Sequence, residues 1–275
     1  MTLPSAYTTP REFLQFASEL TDASRSLIRS RFRARGDIEM KPDDTPVTPT
    51  DLEVESLIRR MIAERYPNHG LIGEEHPTHG AAASHVWVID PIDGTRSFIA
   101  GRPVFGTLIA LTVDGIPVMG VVDIPIMGER WLGAKGHATT LNGVKAQTWL
   151  CPALSDAILL ATSPEYLNGD AAAPFQRVVE AAKFTIYDAG TQGYGLVASG
   201  HADIMIAARY GIVDYLAAVP VVEGAGGVMC DWTGAPLTVS SGDRFVILGN
   251  AARLSETLDL LASDPMEGEC YGAIA

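Results

Sequence analysis

Two aspartates three positions apart close an apolar run in the segment Trp87-Val-Ile-Asp-Pro-Ile-Asp-Gly-Thr-Arg-Ser-Phe98, with a glycine and a hydroxyl directly behind them. Asp90 and Asp93 offer hard oxygen ligands of the kind magnesium prefers. Gly94 and Thr95 stand where a helix could begin, and backbone N–H groups at a helix start favour a phosphate. The segment predicts magnesium-dependent chemistry on a phosphate ester.

Other acidic residues fall at element boundaries rather than on a periodic helix face: Asp51, Glu74 with Glu75, and Asp214. Thr50 and Glu53 read as a capping box that opens a helix, which puts Asp51 in its first turn. Glu74 and Glu75 lie in the loop Gly73-Glu-Glu-His-Pro77. Asp214 precedes the apolar stretch Leu216–Val222, where it reads equally as a ligand held at a helix start or as a helix cap. Carboxylates at boundaries can converge, although a lone Asp-x-x-Asp is weak evidence because turns are rich in aspartate.

The elements that must position these groups alternate. Phe13, Phe16, Ala17, Leu20, Ala23, Leu27 and Ile28 recur at helical spacing, and Arg25, Arg29, Arg31, Arg33 and Arg35 follow. The arginines read as a solvated helix face in preference to a phosphate patch. A Pro/Asp/Thr stretch from Lys41 to Thr50 precedes the second helix, which Pro67 and Asn68 end. Strand-like runs follow at Val86–Ile89, Thr107–Val113, Val118–Asp123 and Glu129–Ala134, separated by turns, and predict an antiparallel meander. Beyond Leu154 the pattern becomes α/β: Ala157–Ala161, Pro174–Ala182, Phe184–Tyr187, Thr191–Ser199, Ala202–Ala207, Tyr215–Gly224, Gly227–Asp231, Arg244–Leu248 and Ala251–Ala262.

Composition narrows the class. With 275 residues, 47% hydrophobic and 19% charged, the chain has the makings of a sizeable core. A formal charge of −13 disfavours nucleic acid or an anionic membrane surface as partner, and an anionic substrate would need metal ions to offset the field. No run approaches the roughly 18 apolar residues of a membrane span, and no leader pattern opens the chain, so a cytoplasmic protein is expected. Cys151, Cys230 and Cys270 are far apart and predict reduced thiols rather than a disulfide framework or zinc knuckle.

Several signals carry less. His76 and His79 form a His-x-x-His, but the flanking proline, threonine and glycine point to a loop rather than zinc. Gly224, Gly226 and Gly227 follow a helix and precede a strand, the reverse of a dinucleotide loop, and predict tight helix-to-strand packing. There is no Gly-x-Ser-x-Gly elbow, no Walker-type loop and no cysteine set among basic residues.

In combination the motifs are specific. Trp-Val-Ile-Asp-Pro-Ile-Asp-Gly-Thr-x-x-Phe, preceded by Gly73-Glu74-Glu75 and followed by Asp214-x-x-Ala217 and Glu223-Gly-Ala-Gly-Gly227, resembles the inositol monophosphatase superfamily of metal-dependent phosphomonoesterases. The resemblance runs from Lys41 to about Asn250 with the motifs in the family's order. It implies a layered α-β-α-β-α sugar-phosphatase fold of the α/β class, with an α+β part over residues 1–146, an α/β part over 147–275 and the site between them. It implies two to three magnesium ions. Glu74, Asp90 and the Ile92 backbone carbonyl would bind the first, Asp90, Asp93 and Asp214 the second, and Glu74 would help hold a third. Asp51, Thr95 and Glu74 would orient and deprotonate the attacking water, and the Gly94 and Thr95 amides would receive phosphate oxygens. Two cations would neutralise the ester, lower the water's pKa and stabilise the leaving alkoxide. A homodimer is also implied.

Gly101–Leu111, Gly128–Gly133 and Asp214–Gly227 look most like the histidinol-phosphate phosphatase branch, with myo-inositol 1-phosphate or another small polyol phosphate as the alternative substrate. Two positions depart from the pattern. Gly190-Thr191-Gln192-Gly193 stands where that branch has Gly-Asp, and Ala207 stands where relatives have a glutamate that contacts the alcohol. Gly190, Thr191, Gln192 and Ala207 are therefore the expected substrate-facing positions. A phosphatase-shaped binding protein without turnover is the competing class, disfavoured because every matched ligand carboxylate is present.

Overall fold

The computed structural model describes residues 7–34, 36–42 and 44–262; Arg35 and Cys270 of the sequence expectations lie outside them. The amphipathic repeat forms α1 (Arg11–Arg31), which buries Phe13, Phe16, Ala17, Leu20 and Ile28. A short hairpin, β1 (Glu39–Met40) with β2 (Pro46–Val47), leads into α2 (Pro49–Arg65). The capping box of α2 lies two residues earlier than expected. Thr48 is the cap and Asp51 its reciprocal partner, with Pro49 in the first turn, because proline's fixed φ and missing N–H suit that position. Glu53 instead pairs with Arg31 at 3.0 Å.

A seven-stranded sheet follows: β3 (Gly70–Gly73), β4 (His85–Asp93), then, after the one-turn α3 (Thr95–Ile99), β5 (Gly106–Val113), β6 (Ile116–Ile124), β7 (Glu129–Ala134), β8 (His137–Leu141) and β9 (Val144–Lys145). Its order is sequential, with β3 parallel to β4 and every later pair antiparallel. The expected meander is there, extended by strands at each side. Every residue of β5 is buried, so its sequence is continuously apolar rather than alternating; helices cover both faces of the sheet.

The second sheet is built from β10 (Ile158–Ala161), β11 (Phe184–Ile186), β12 (Ile204–Ala207), β13 (Val228–Cys230) and β14 (Phe245–Leu248), in the order β11-β10-β12-β14-β13. The first three run parallel and β14 is antiparallel to both neighbours. Between these strands come α4 (Ala172–Ala181), α5 (Gln192–Ala198), α6 (Ile212–Tyr215) and α7 (Ala218–Gly224), and α8 (Leu254–Leu261) ends the described chain. The helix expected over Tyr215–Gly224 divides into α6 and α7. Pro220 lacks the N–H that would bond the Leu216 carbonyl, so the ladder breaks there.

Three cores join five layers. Leu20, Ile58, Trp87 and Ile109 pack α1 and α2 on one face of the seven-stranded sheet. Trp131, Tyr194, Met205, Val221 and Ile247 join α5 and α7 to both sheets. Phe175, Ile204, Val246 and Leu261 pack α4 and α8 on the outer face of the second sheet. The sequence α-β-α-β-α is the layered α/β arrangement expected. Packing between α7 and the second sheet leaves no space for a side chain at Gly227, where a Cβ would stand 2.8 Å from the Leu248 carbonyl oxygen.

The arginines of the second half of α1 and just beyond it divide in role. Arg25 reaches the fully buried Asp123 at 2.6 Å, Arg33 donates to the Gly101 carbonyl at 3.1 Å, and none of the described ones lines the cavity between the metal-ligand candidates. Cys151 and Cys230 are buried free thiols. Among the described residues no helix is long and apolar enough to cross a membrane.

Candidate active site

Strand β4 brings Asp90 to the mouth of a cavity of about 280 Å³, and the chain turns there through Gly94 into α3. Gly94 sits at φ 91°, and a Cβ there would approach Phe105 at 3.3 Å, so glycine alone makes this turn without strain. Asp214 arrives from the opposite sheet in the single turn of α6, where its Oδ2 accepts from the Gly211 N–H at 2.7 Å. Asp214 is thus not the N-cap, which is Gly211, but the third residue of α6, whose carboxylate bonds back to the cap's N–H while it faces the cavity.

Oxygens of Asp90, Asp93 and Asp214 lie within 4.8 Å of one another. Burial, reinforced by the charges of Glu74, Asp93 and Asp214, holds the Asp90 carboxyl well above the usual carboxylate range. Burial likewise pushes Asp93 up to about 7, against the hydrogen bond from Thr191. Asp214 is pushed up to about 8 by burial and by the charges of Asp93 and Glu74. Among the described residues no lysine or arginine pairs with these three acids. Crowded carboxylates without a protein cation are a set of hard oxygen donors suited to a divalent ion.

Glu74 lines the same cavity but is not one of that close trio. Its Oε1 accepts from Lys41 Nζ at 2.8 Å, and Lys41 also donates to Glu75 at 2.8 Å. Against burial, which lowers it, those two hydrogen bonds raise the Lys41 pKa. The hairpin of β1 and β2 thereby delivers a cation to the edge of the acidic cluster.

Asp51 is fully buried behind the cavity wall. Its Oδ2 accepts from the Thr48 N–H at 2.9 Å and the Thr48 hydroxyl at 2.5 Å, which leaves Oδ1 for the Thr95 hydroxyl at 3.2 Å. Thr95 Oγ1 also lies 3.1 Å from the Ile92 carbonyl. Burial raises the Asp51 pKa, against the hydrogen bonds from Thr48.

At the other end of the cavity the substrate-facing expectations divide. Gly190 lines it. Thr191 is buried and donates to Asp93 Oδ2 at 2.5 Å, so it holds a carboxylate instead of facing the cavity. Gln192 turns to Glu129 at 2.9 Å. Ala207 is fully buried in the core between the sheets, because it is the last residue of β12, paired with Phe245, with its side chain directed inward. Ser163, Tyr166, Asp188, Arg209 and Tyr210 line this end.

The family model for the inositol monophosphatase family matches residues 9–264. The chain belongs to the inositol monophosphatase family. This family member is 44% identical over 224 residues to the bifunctional phosphatase IMPL2 of Arabidopsis thaliana, a match covering 81% of this chain and 65% of that one, so it spans just under two thirds of that relative's length. It is 36% identical to a histidinol-phosphatase of Chlorobaculum parvum, over 86% of this chain and 92% of that one. An inositol monophosphatase of Mesembryanthemum crystallinum is 31% identical over 83% and 88%. The solved structure of an inositol monophosphatase from Zymomonas mobilis superposes with a TM-score of 0.84 at 38% identity, covering 94% of this chain and 99% of that one.

Sequence reasoning on this family member missed three residues at or beside the cavity. Lys41 was a residue of a polar linker, and nothing in its spacing marks a partner 33 positions away. Thr48 was recoverable, since Thr48-Pro-Thr-Asp51 is itself a capping-box pattern with proline second. Arg209 follows a strand in an otherwise apolar run, and only the fold shows which end of the sheet it reaches. His76, of the discounted His-x-x-His, bonds Ser56 at 2.9 Å and the Leu52 carbonyl at 3.3 Å.

Proposed function

We propose that the protein is a magnesium-dependent phosphomonoesterase that hydrolyses a small phosphorylated alcohol by activating water. The supporting observation is the convergence of Asp90 and Asp93 from β4 with Asp214 from α6, with no lysine or arginine among the described residues to neutralise them. Asp90, Asp93, Asp214, Glu74 and the Ile92 carbonyl would hold two to three ions. Bound there, magnesium would offset the ester's charge, lower the pKa of water and stabilise the leaving alkoxide.

The chain's own groups complete the arrangement. Thr95 has one hydroxyl proton and two acceptors for it, Asp51 and the Ile92 carbonyl. When the proton lies toward Asp51, the Thr95 oxygen is open to accept a proton from a water in the cavity. Asp51, buried and inclined to take up a proton, serves as the store, and Glu74 orients the water from the other side. The Gly94 and Thr95 amides open α3, where a helix start leaves N–H groups without intrahelical partners, and would receive the phosphate oxygens.

For the alcohol, kinship with named histidinol-phosphatases favours histidinol phosphate, and kinship with inositol monophosphatases supports myo-inositol 1-phosphate as the alternative. The reading includes a cytoplasmic homodimer without nucleic-acid or membrane partners, and a division of labour between residues 1–146, carrying most ligands, and 147–275, carrying Asp214 and the alcohol pocket. Phosphate release should require magnesium, vanish on chelation and be abolished in Asp90→Asn. Undiminished hydrolysis in that variant would refute the reading, and magnesium-independent binding without any turnover would favour a phosphatase-shaped binding protein.

A further inference from the structure

The two ends of the cavity differ in charge. Metal-ligand candidates fill one end, whereas the other is made by loops that follow three parallel strands: Ser163 after β10, Asp188 after β11 and Arg209 after β12. Ligands in α/β sheets sit at the carboxyl ends of parallel strands, so this is where the alcohol portion of an ester would lie. Asp188 and Arg209 both hold left-handed backbone, at φ 64° and 65°. Aspartate tolerates that region through local hydrogen bonding; arginine gains nothing locally from it. Strain of this kind concentrates at functional positions.

Among the described residues that line this end, no carboxylate is free of a basic partner. Asp188 is engaged by Arg102, Ala207 is apolar and buried, and Thr191 is committed to Asp93. The guanidinium is available. Arg209 makes no hydrogen bond or ion pair among the described residues, and Asp170, which feels its charge, is bonded by Arg244 instead. Gly169 leaves it room, since a Cβ there would stand 3.6 Å from Arg209 Nη2. Arg96 adds a second positive group on the cavity wall, its contact with Glu165 a loose 3.8 Å between side chains 60% and 77% exposed.

We propose that the alcohol portion of the substrate carries a second oxyanion, a carboxylate or another phosphate, which Arg209 receives. The inference rests on the phosphomonoesterase reading and narrows its substrate class. A guanidinium offers paired donors that match either oxyanion. It also repels an ammonium-bearing alcohol, so the same residue selects for one charge and against the other. The site has the sign of charge opposite to what histidinol phosphate would meet best.

Two matched pairs of esters, assayed with the full chain in magnesium, test this. 2-Phosphoglycerate against glycerol 2-phosphate differs by a carboxylate, and 1,3-propanediol bisphosphate against 3-hydroxypropyl phosphate differs by a phosphate; histidinol phosphate and myo-inositol 1-phosphate complete the panel. At least one anionic member should exceed its neutral partner tenfold or more in kcat/KM, and the pair that shows it identifies the anion. In Arg209→Gly, which suits the left-handed backbone, that ratio should fall below threefold, and Arg209→Lys should keep part of it. If the glycine variant fails to fold, Arg209→Asn tolerates the same conformation and carries the comparison. A preference under tenfold in both pairs, a ratio that stays at threefold or more without Arg209, or faster turnover of histidinol phosphate than of either anionic ester would overturn the inference while leaving the phosphomonoesterase intact. Failure of all six esters would instead sink the phosphomonoesterase reading.

Discussion

Thr191 donates its hydroxyl to Asp93 Oδ2 at 2.5 Å, with the Asp93 carbonyl also within reach at 2.9 Å, so a residue preceding α5 fixes a carboxylate that ends β4. The contact ties the start of α5 to the end of β4 at the acidic cluster. It favours the ionised form of Asp93, opposing the burial that raises its pKa. Thr191→Val keeps the shape and removes the donor. Loss of an outer partner that orients a ligand typically lowers metal affinity about 10- to 100-fold. The magnesium concentration for half-maximal phosphatase activity should rise by that order, with Thr191→Ser close to wild type. An unchanged magnesium requirement in the valine variant would show that Asp93 needs no such support.

Thr48 does two things with one side chain: it caps α2 and it occupies Asp51 Oδ2. Thr48→Ala should destabilise the protein by about 1 kcal/mol, the usual loss for an N-cap, read as a shift in denaturant midpoint. It should also slow phosphate release, because Asp51 would no longer be held with Oδ1 toward Thr95. Thr48→Ser should restore both. A variant with lowered stability and full activity would separate the cap from the chemistry.

How far the chain could be read in advance depended on whether the signal was local. Asp90, Asp93, Gly94 and Thr95 are adjacent, and their geometry follows from a strand that turns through one left-handed glycine, so their shared location was legible. Asp214 was ambiguous for the same local reason, since a cap and a ligand look alike, and the structure puts it three residues past the cap Gly211, bonding that residue's N–H while its carboxylate meets Asp90 and Asp93. The meander and the α/β alternation were legible from periodicity and the layering from the family resemblance, but the break between α6 and α7 depended on the single missing N–H of Pro220. The cavity wall made by the loops after β10, β11 and β12 was the least legible. It is assembled from single residues after separate strands, and Ala207, placed there by the family resemblance, is instead turned inward as the last residue of β12.

His69 gives the fold a pH response away from the site. Its ring stacks on Tyr66 at 4.6 Å and His85 at 4.9 Å, beside Phe13, and its Nδ1 accepts from the Trp87 indole N–H at 3.1 Å. Indole nitrogen only donates, so Nδ1 carries no proton. Burial lowers the His69 pKa, and the charge of His85 adds to that. The neutral form is the one that the fold favours. This contribution to stability is therefore complete above the unfolded value near 6.5 and is lost as pH falls through the lower folded value. His69→Asn keeps an acceptor and does not titrate. The loss of stability between pH 7.5 and 5.5, measured by denaturant unfolding, should be smaller in that variant than in the parent, and equal losses would remove His69 from the account.

The same linkage runs in the opposite direction at the acidic cluster. Burial and mutual repulsion push Asp93 up to about 7 and Asp214 up to about 8. A carboxyl raised above its unfolded value stabilises the fold below that value, near 3.9, and the benefit is lost as pH rises through the folded pKa. Without metal, the protein should therefore lose the contribution of Asp93 and Asp214 as pH rises through about 7 and 8. Magnesium binds only the ionised acids and must displace any protons they hold. Its apparent affinity should rise over that interval, and with it the stabilisation that mass action confers. At one fixed magnesium concentration the increase in Tm should be larger at pH 8.5 than at pH 6, and the difference should shrink in Asp214→Asn, which removes a titrating ligand. A magnesium shift that is independent of pH, or greater at pH 6, would show that the cluster does not take up its metal in exchange for these protons.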